Sequence, residues 1–406
     1  MNGKKNTWLI PKVSVVVFVY ILIFFFYKGL ISNTYEGDSL NYHIPIAKAF
    51  LNGSITNPEF IKAVPLLKYY PGSSEGILSM LILLGIPMST YNVFAAAIFF
   101  LVLVFSGKRF KLGNQLSILF ATSIVTLHTI TRWINTQVID IWLAVFFMLS
   151  LSLLQKPEKK ISYFLILGFS LGMLIGTKYT GVVFFIVLLA FNYRRIIKVL
   201  NPKRIIAFLI PFTFFGLLWY LRNFLLTDNP VYPLSFLFFK GDYIGIENNV
   251  LRSLFYPNGV INFFNAIISE FGLWALTVFT PLLLFFAKIR KDKNLEKAKI
   301  LILIGIINFA VFLFLPSDKY YNIVVSVFRY SYAAFIPIIL SVFLIAQYFK
   351  KEMLISFLVL SGLIIVPELQ YYPKLMFFFI PLALIIFYFE DVYSFIKSRV
   401  RLKGGK

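Results

Sequence analysis

The sequence predicts an all-α polytopic membrane protein of about twelve transmembrane helices, with further helices lying on the membrane surface. Three observations carry this expectation. Of 406 residues, 59% are hydrophobic. Apolar runs of membrane-spanning character recur from one end of the chain to the other. The formal charge of +22 is unevenly shared among the segments between those runs. In a soluble protein so basic a balance would point to nucleic acid; here basic cytoplasmic loops account for it, and no nucleic-acid partner is expected.

The apolar runs place spans near 8–31, 90–106, 116–130, 138–154, 161–177, 180–192, 204–222, 268–288, 300–315, 329–347, 353–367 and 375–390. The first is too long for a signal-peptide core and lacks a small-residue cleavage site after it, so it reads as a retained span. GILSMLILLGIP at 76–87 is different. A helix of that length reaches roughly 18 Å, short of the roughly 30 Å hydrocarbon core.

Charge decides how that run is counted. If 76–87 lies along the surface, 27 of the 39 lysines and arginines fall in segments 1–12, 107–115, 155–160, 193–204, 288–299, 350–351 and 397–406, all on one side. Eleven of the 17 acidic residues fall on the other side. The positive-inside rule makes the basic side cytoplasmic and puts both termini there. If 76–87 spanned instead, every later loop would change side and the bias would be lost.

The chain then reads as one integral membrane unit, 1–406, with two large exterior loops at 32–89 and 223–267. No stretch outside the membrane is long enough for a nucleotide-binding domain, and neither GxxxxGK[ST] nor GxGxxG occurs. No solenoid-type repeat is evident. The chain has no cysteine, which removes disulfides and thiolate metal sites. Any activity must come from membrane helices and the two loops, and a lipid-linked substrate suits an exterior site better than a nucleotide-activated one.

The first loop opens with TYEGDSLNYHIP, residues 34–45. Leu40, Ile44, Ala47 and Leu51 fall at helical spacing, Asn52-Gly53 makes a stop, and Pro45 limits the regularity of the first turns. Asp38 or Ser39 is a candidate N-cap for that helix. If 35–38 is extended, Glu36 and Asp38 point to one side, where two carboxylates can share a divalent metal or one can act as a base. Metal dependence is left open. Tyr42 and His43 are candidate substrate contacts, with a surface hydrogen-bonding role the plainer reading of His43. Lys68, before a Pro-Gly turn, can hold a phosphate or snorkel to the headgroups.

Cations at the exterior ends of later spans complete the candidate set. Lys178, Arg222 and Arg329 are all available to one outward-facing cavity, as phosphate ligands or as snorkelling side chains. Asp140 is sharper, because it interrupts the apolar run VIDIWLAVFF, where an unpaired carboxylate is costly.

These stretches resemble a known family. DSLNYHIPIAKAFLNG at 38–53 and YPGSSEGIL at 70–78 in the first loop are similar to the GT-C superfamily of membrane glycosyltransferases. The likeness is to the bacterial branch related to protein O-mannosyltransferases and lipid A aminoarabinose transferases. NTQVIDIWLA at 135–144, LIGTKYTG at 174–181, LRNFLLTDNPVYP at 221–233 and VFRYSYAAFIP at 327–337 extend it. It covers the first 235 or so residues more closely than the rest. The resemblance implies a polyprenyl-phosphate-linked sugar as donor, transfer on the non-cytoplasmic face of the bacterial inner membrane, and Asp38 as the catalytic acid of the first loop. Asp140 matches the family's second acid. Glu36 stands for an acid that in many relatives directly adjoins the first-loop Asp, and Tyr69-Tyr70 replace the prolines that often follow the position of Lys68.

The expected function is therefore a glycosyltransferase, inverting, that passes the sugar to a protein, lipid or polysaccharide acceptor, with Asp38 as general base. Two other readings compete. A transporter or lipid flippase would place its polar groups near the bilayer midplane on broken helices in matched halves; here the charges gather on one face and the halves differ. An O-antigen-type polymerase or ligase would rely on a large late loop, whereas the first loop is the richer one here.

Overall fold

The computed structural model describes residues 9–32, 36–56, 65–242, 249–281, 293–315 and 327–352, with 355, 356, 358 and 359. Helices dominate them, and Phe236 and Phe239 form an isolated β-bridge. The order is α1 Leu9–Ile31, α2 Ile44–Leu51, α3 Ser73–Leu83, α4 Tyr91–Arg109, α5 Asn114–Val125 and α6 His128–Thr131. Next come α7 Asp140–Gln155, α8 Ile161–Thr177, α9 Thr180–Ile197, α10 Pro202–Phe212 and α11 Leu218–Thr227. The chain continues through α12 Val250–Ser253, α13 Gly259–Phe271, α14 Lys293–Leu313 and α15 Tyr332–Tyr348.

Six stretches among the described residues are long and apolar enough to cross a membrane: Pro11–Ile31, Met88–Arg109, Thr180–Ile197, Pro202–Thr227, Gly259–Phe279 and Phe328–Tyr348. The protein is an all-helical integral membrane protein, as the sequence predicts. α3, with 11 residues, is too short to span. Helix continues into both ends of the segment 223–267, to Thr227 and again from Gly259. The spans expected at 353–367 and 375–390 lie outside the described residues except at four positions.

Small residues set the closest helix contacts. A Cβ on Gly168 would run into the carbonyl oxygen of Phe208, and one on Gly176 into that of Phe215. Spacing of this kind lets membrane helices approach backbone to backbone, which compensates for the missing hydrophobic drive in lipid. Pro211 then removes one helical N–H, and a π-helical turn, Thr213–Leu217, joins α10 to α11.

Side-chain amides fasten the non-helical link between α6 and α7. Asn92 donates to the carbonyls of Trp133 (3.2 Å) and Val138 (2.8 Å), Asn135 to that of Phe25 (2.8 Å), and Gln137 to that of Met88 (2.8 Å). These bonds satisfy a buried backbone that has no ladder of its own. They also fix where α7 begins, and its first residue is Asp140.

Candidate active site

The start of the first loop is a helix entry. Glu36 accepts the N–H groups of Asp38 (3.0 Å) and Ser39 (2.6 Å), which makes it the cap of the turn leading into α2. Asp38 is helical and caps nothing. The extended geometry at Glu36 and Asp38 is therefore not adopted: the capping bonds turn Glu36 to the backbone and leave the Asp38 side chain free to face the bundle. Ser39 ties this turn to the α6–α7 link, its hydroxyl accepting the N–H of Gln137 at 3.0 Å.

Asp38 faces Arg329, whose guanidinium bonds to its Oδ2. The Arg329 Nε lies 3.3 Å from Asp140 Oδ2, an ion pair without hydrogen-bond alignment. The other oxygen of Asp140 accepts from Lys178 Nζ at 2.9 Å. Two carboxylates and two cations thus alternate, from α2's leading turn, α7, the α8–α9 junction and the turn before α15. Tyr330 closes one side: its hydroxyl accepts from Arg329 at 2.9 Å and its ring lies 3.6 Å under Lys178 Nζ. Trp133 closes another, 4.8 Å from the Arg329 guanidinium, a cation–π contact.

Exposure separates the two acids. The Asp140 side chain is 3% exposed and both its oxygens face cations, whereas the Asp38 side chain is 38% exposed. Among the described residues only Oδ2 of Asp38 is engaged. Asp38 is the acid of the two that an incoming molecule can reach, and Asp140 is enclosed between Arg329 and Lys178. Tyr42 borders the cluster, where burial and then the charge on Asp38 hold its phenol well above the usual range. Among the described residues no three His, Asp or Glu side chains gather as a metal site.

His43 is buried, contrary to the plainer reading of it as a surface residue. Its Nδ1 lies 2.7 Å from Glu75 Oε1, and both side chains are 1% exposed. Burial pushes Glu75 up to about 8 and, with the charges of Arg329 and Lys178, pushes His43 well below its usual value. Both shifts favour the uncharged forms, so the contact is a hydrogen bond between neutral side chains more than an ion pair. Neighbouring Ser74 bonds Thr177 of α8 at 2.6 Å, and Tyr91 bonds the Ser74 carbonyl at 2.8 Å, so the polar start of α3 is plugged into the bundle.

Lys68 and Arg222 sit together but apart from the acids. Arg222 donates to the Lys68 carbonyl (3.3 Å) and to Asn223 Oδ1 (2.9 Å), and lies 4.8 Å over Trp219. Lys68 Nζ lies 5.4 Å from the Tyr69 ring. Arg222 stands in the wall of a groove of about 860 Å³ between α2, α3, α8 and α11, lined by apolar side chains such as Phe50, Met80, Phe215 and Leu221. Segment 178–179 joins the two places. Lys178 meets Asp140, while the Tyr179 hydroxyl donates to the Tyr69 carbonyl (3.0 Å) and accepts from Asn223 (2.9 Å).

Glu75, Trp133 and Tyr330 were absent from the candidates read in the sequence. So was Glu270, fully buried on α13 and bonded to Arg132 at 2.9 Å with His128 Nδ1 3.4 Å away. Glu270 carries the signal that exposed Asp140, a carboxylate within an apolar run (AIISEFGLWAL), whereas Glu75 follows Gly-Ser-Ser at the polar start of α3 and lacks it. The two aromatic residues carry none.

No family model matches the chain, and no curated protein sequence matches it. Two crystal structures share its fold. One is ArnT from Cupriavidus metallidurans bound to undecaprenyl phosphate, with a TM-score of 0.56 at 15% identity, covering 82% of this chain and 59% of that one. The other is the apo state of the same protein, with a TM-score of 0.55 at 15% identity, covering 83% and 61%. The likeness is one of fold, an all-helical membrane architecture. The chain spans about three-fifths of ArnT's length.

Proposed function

We propose that the protein is a glycosyltransferase of the GT-C type that moves a sugar from a polyprenyl-phosphate donor to an acceptor hydroxyl, with Asp38 as general base. One observation carries the reading: a part-exposed carboxylate, Asp38, is held by a buried arginine beside a second acid–cation pair. The groove ending at Arg222 supports it, since an apolar channel with one cation suits a lipid phosphate. ArnT, which shares the fold, was crystallised with undecaprenyl phosphate.

In the proposed reaction the acceptor O–H gives its proton to Asp38 Oδ1 as its oxygen attacks the anomeric carbon. The bond from that carbon to the phosphate oxygen breaks, and the electron pair leaves with the lipid phosphate. Attack opposite the leaving group inverts the anomeric centre. Lys178 and Arg329 balance the charge that grows on the departing phosphate, Arg222 with Lys68 hold the same phosphate from the groove side, and the apolar groove takes the prenyl chain. The basic-loop bias supports a site on the exterior of a bacterial cytoplasmic membrane, with both termini inside. The acceptor is a protein, lipid or polysaccharide at the cell surface.

Asp38→Asn tests this. General-base loss costs about 10²–10⁴-fold in rate; transfer should fall by that much while the protein still accumulates in the membrane. Near-normal transfer by the variant would overturn the assignment. Mass spectrometry of surface glycans from cells with and without the protein identifies the sugar and its acceptor together.

A further inference from the structure

The segment after α11 folds into a small hairpin that exposes its largest apolar side chains. Phe236 and Phe239 exchange both backbone hydrogen bonds, at 3.0 and 2.9 Å. Phe236 is 57% exposed, and Leu237 and Phe238 at the tip are each 80% exposed. The hairpin is braced from below: the buried Asn229 amide donates to the carbonyls of Leu234 (2.8 Å) and Lys240 (2.9 Å), and Ser235 accepts the N–H of Gly241 at 3.0 Å. A braced loop presents a fixed apolar tip; it does not collapse onto its own core.

Leu237 adds a second observation. Its φ is +53°, in the region that favours glycine. A bulky residue there is strained relative to glycine. The tip therefore keeps a leucine where glycine would be relaxed. Burial of a side chain of this size offsets that strain when the tip meets an apolar environment.

What surrounds the hairpin identifies that environment. It follows directly on α11, whose Leu221, Phe224, Leu225 and Leu226 are 45–73% exposed and form the face that a membrane span shows to lipid. Lys240, flanking the tip, is exposed, as expected of a side chain that meets headgroup phosphates. The base is fixed to the polar end of the groove: the Tyr232 ring packs 4.6 Å from Tyr69, and the Tyr232 carbonyl accepts from Tyr179. We propose that the hairpin Phe236–Phe239 is an interfacial anchor that dips into the lipid leaflet at this end of the bundle, beside the mouth of the apolar groove. Its partner is the bilayer itself, at the boundary between headgroups and acyl chains.

The native chain has no cysteine, which makes depth measurement direct. Leu237→Cys, Phe238→Cys and the control Asp242→Cys, each carrying a fluorescent label, are reconstituted into vesicles of phosphatidylcholine and phosphatidylglycerol brominated at known acyl positions. The labels at 237 and 238 should be quenched by the brominated lipids at a depth of about 5–10 Å, and that at 242 by aqueous iodide. Iodide quenching at 237 and 238 equal to that at 242 would overturn the anchor. So would quenching protection that requires a high protein-to-lipid ratio, with crosslinking between copies, because the tip would then meet a second copy. Leu237→Gly gives a further arm: thermal stability in detergent should hold or rise while the label at 238 moves to a shallower position. A fall in stability would make the leucine structural and defeat the proposal. None of these readouts depends on transfer activity.

Discussion

Arg329 bonds the carboxylate of Asp38 across 291 positions of sequence. The arginine is 7% exposed, and the same guanidinium faces Asp140. One side chain near the C-terminal end of the described chain therefore sets the spacing of the two acids. Arg329→Gln leaves Asp140 buried with one cation fewer; breaking a buried pair costs about 3–5 kcal/mol. Arg329→Lys keeps the charge but not the two-sided reach of the guanidinium. Transfer should fall in both, more in the Gln variant, and the Gln variant should melt lower in detergent. Full activity in Arg329→Lys would show that the bridge is dispensable.

The groove and Arg222 predict a different kinetic pattern. An interaction made equally in ground and transition states changes KM and leaves kcat alone. Arg222→Ala should therefore raise KM for a polyprenyl-phosphate donor, with kcat close to that of the unaltered protein. Gly76→Trp, pointing a large ring into the groove near Phe50, should do the same. A drop in kcat at saturating donor would instead mean that Arg222 stabilises the charge that grows on the phosphate only in the transition state.

Most of the helices are legible in the sequence because length and hydropathy alone decide them. Asp140 is legible too, as a lone carboxylate in an apolar run. The role of Glu36 is not, because whether residues 35–38 run extended or enter a helix depends on which groups Ser39 and His43 find across the fold. Nor is the separation of Lys68 and Arg222 from Lys178 and Arg329: all four stand at helix ends or in the loops beside them, and sidedness cannot say which pairs meet. His43 misleads for a related reason. Its partner Glu75 lies 32 positions away in a helix too short to span.

That pair predicts a pH dependence. The folded protein holds Glu75 at about 8, above its ordinary 4.5, so folding favours the protonated acid. Its contribution is complete below about 4.5 and is lost as pH rises toward 8. His43 is depressed below 6.5, so its contribution is complete above 6.5 and is lost on acidification. The two oppose each other below 6.5, and above it only Glu75 titrates. Melting temperature in detergent should fall from pH 6.5 to 8, with a slope of at most about 1.4 kcal/mol per pH unit. Glu75→Gln should flatten that slope, and an unchanged slope would remove the pair from the account.

Glu270 tests whether a buried carboxylate away from the cluster is structural. It is fully buried, yet its partner Arg132 is 38% exposed, so loss of the pair weighs less than loss of a wholly buried one. Trp133 lies between this site and the acid cluster, 5.7 Å from Arg132 and 4.8 Å from Arg329. If the ring only packs, Glu270→Gln should lower the melting temperature and leave the kcat of transfer unchanged. If it also steadies Arg329, Glu270→Gln and Trp133→Leu should lower kcat together and non-additively, since both act through the shared partner Arg132 and such networks couple by about 0.5–3 kcal/mol. The contact distances favour the second outcome, because Trp133 is nearer to Arg329 than to Arg132. A double-mutant cycle in kcat with zero coupling would assign Glu270 to stability alone.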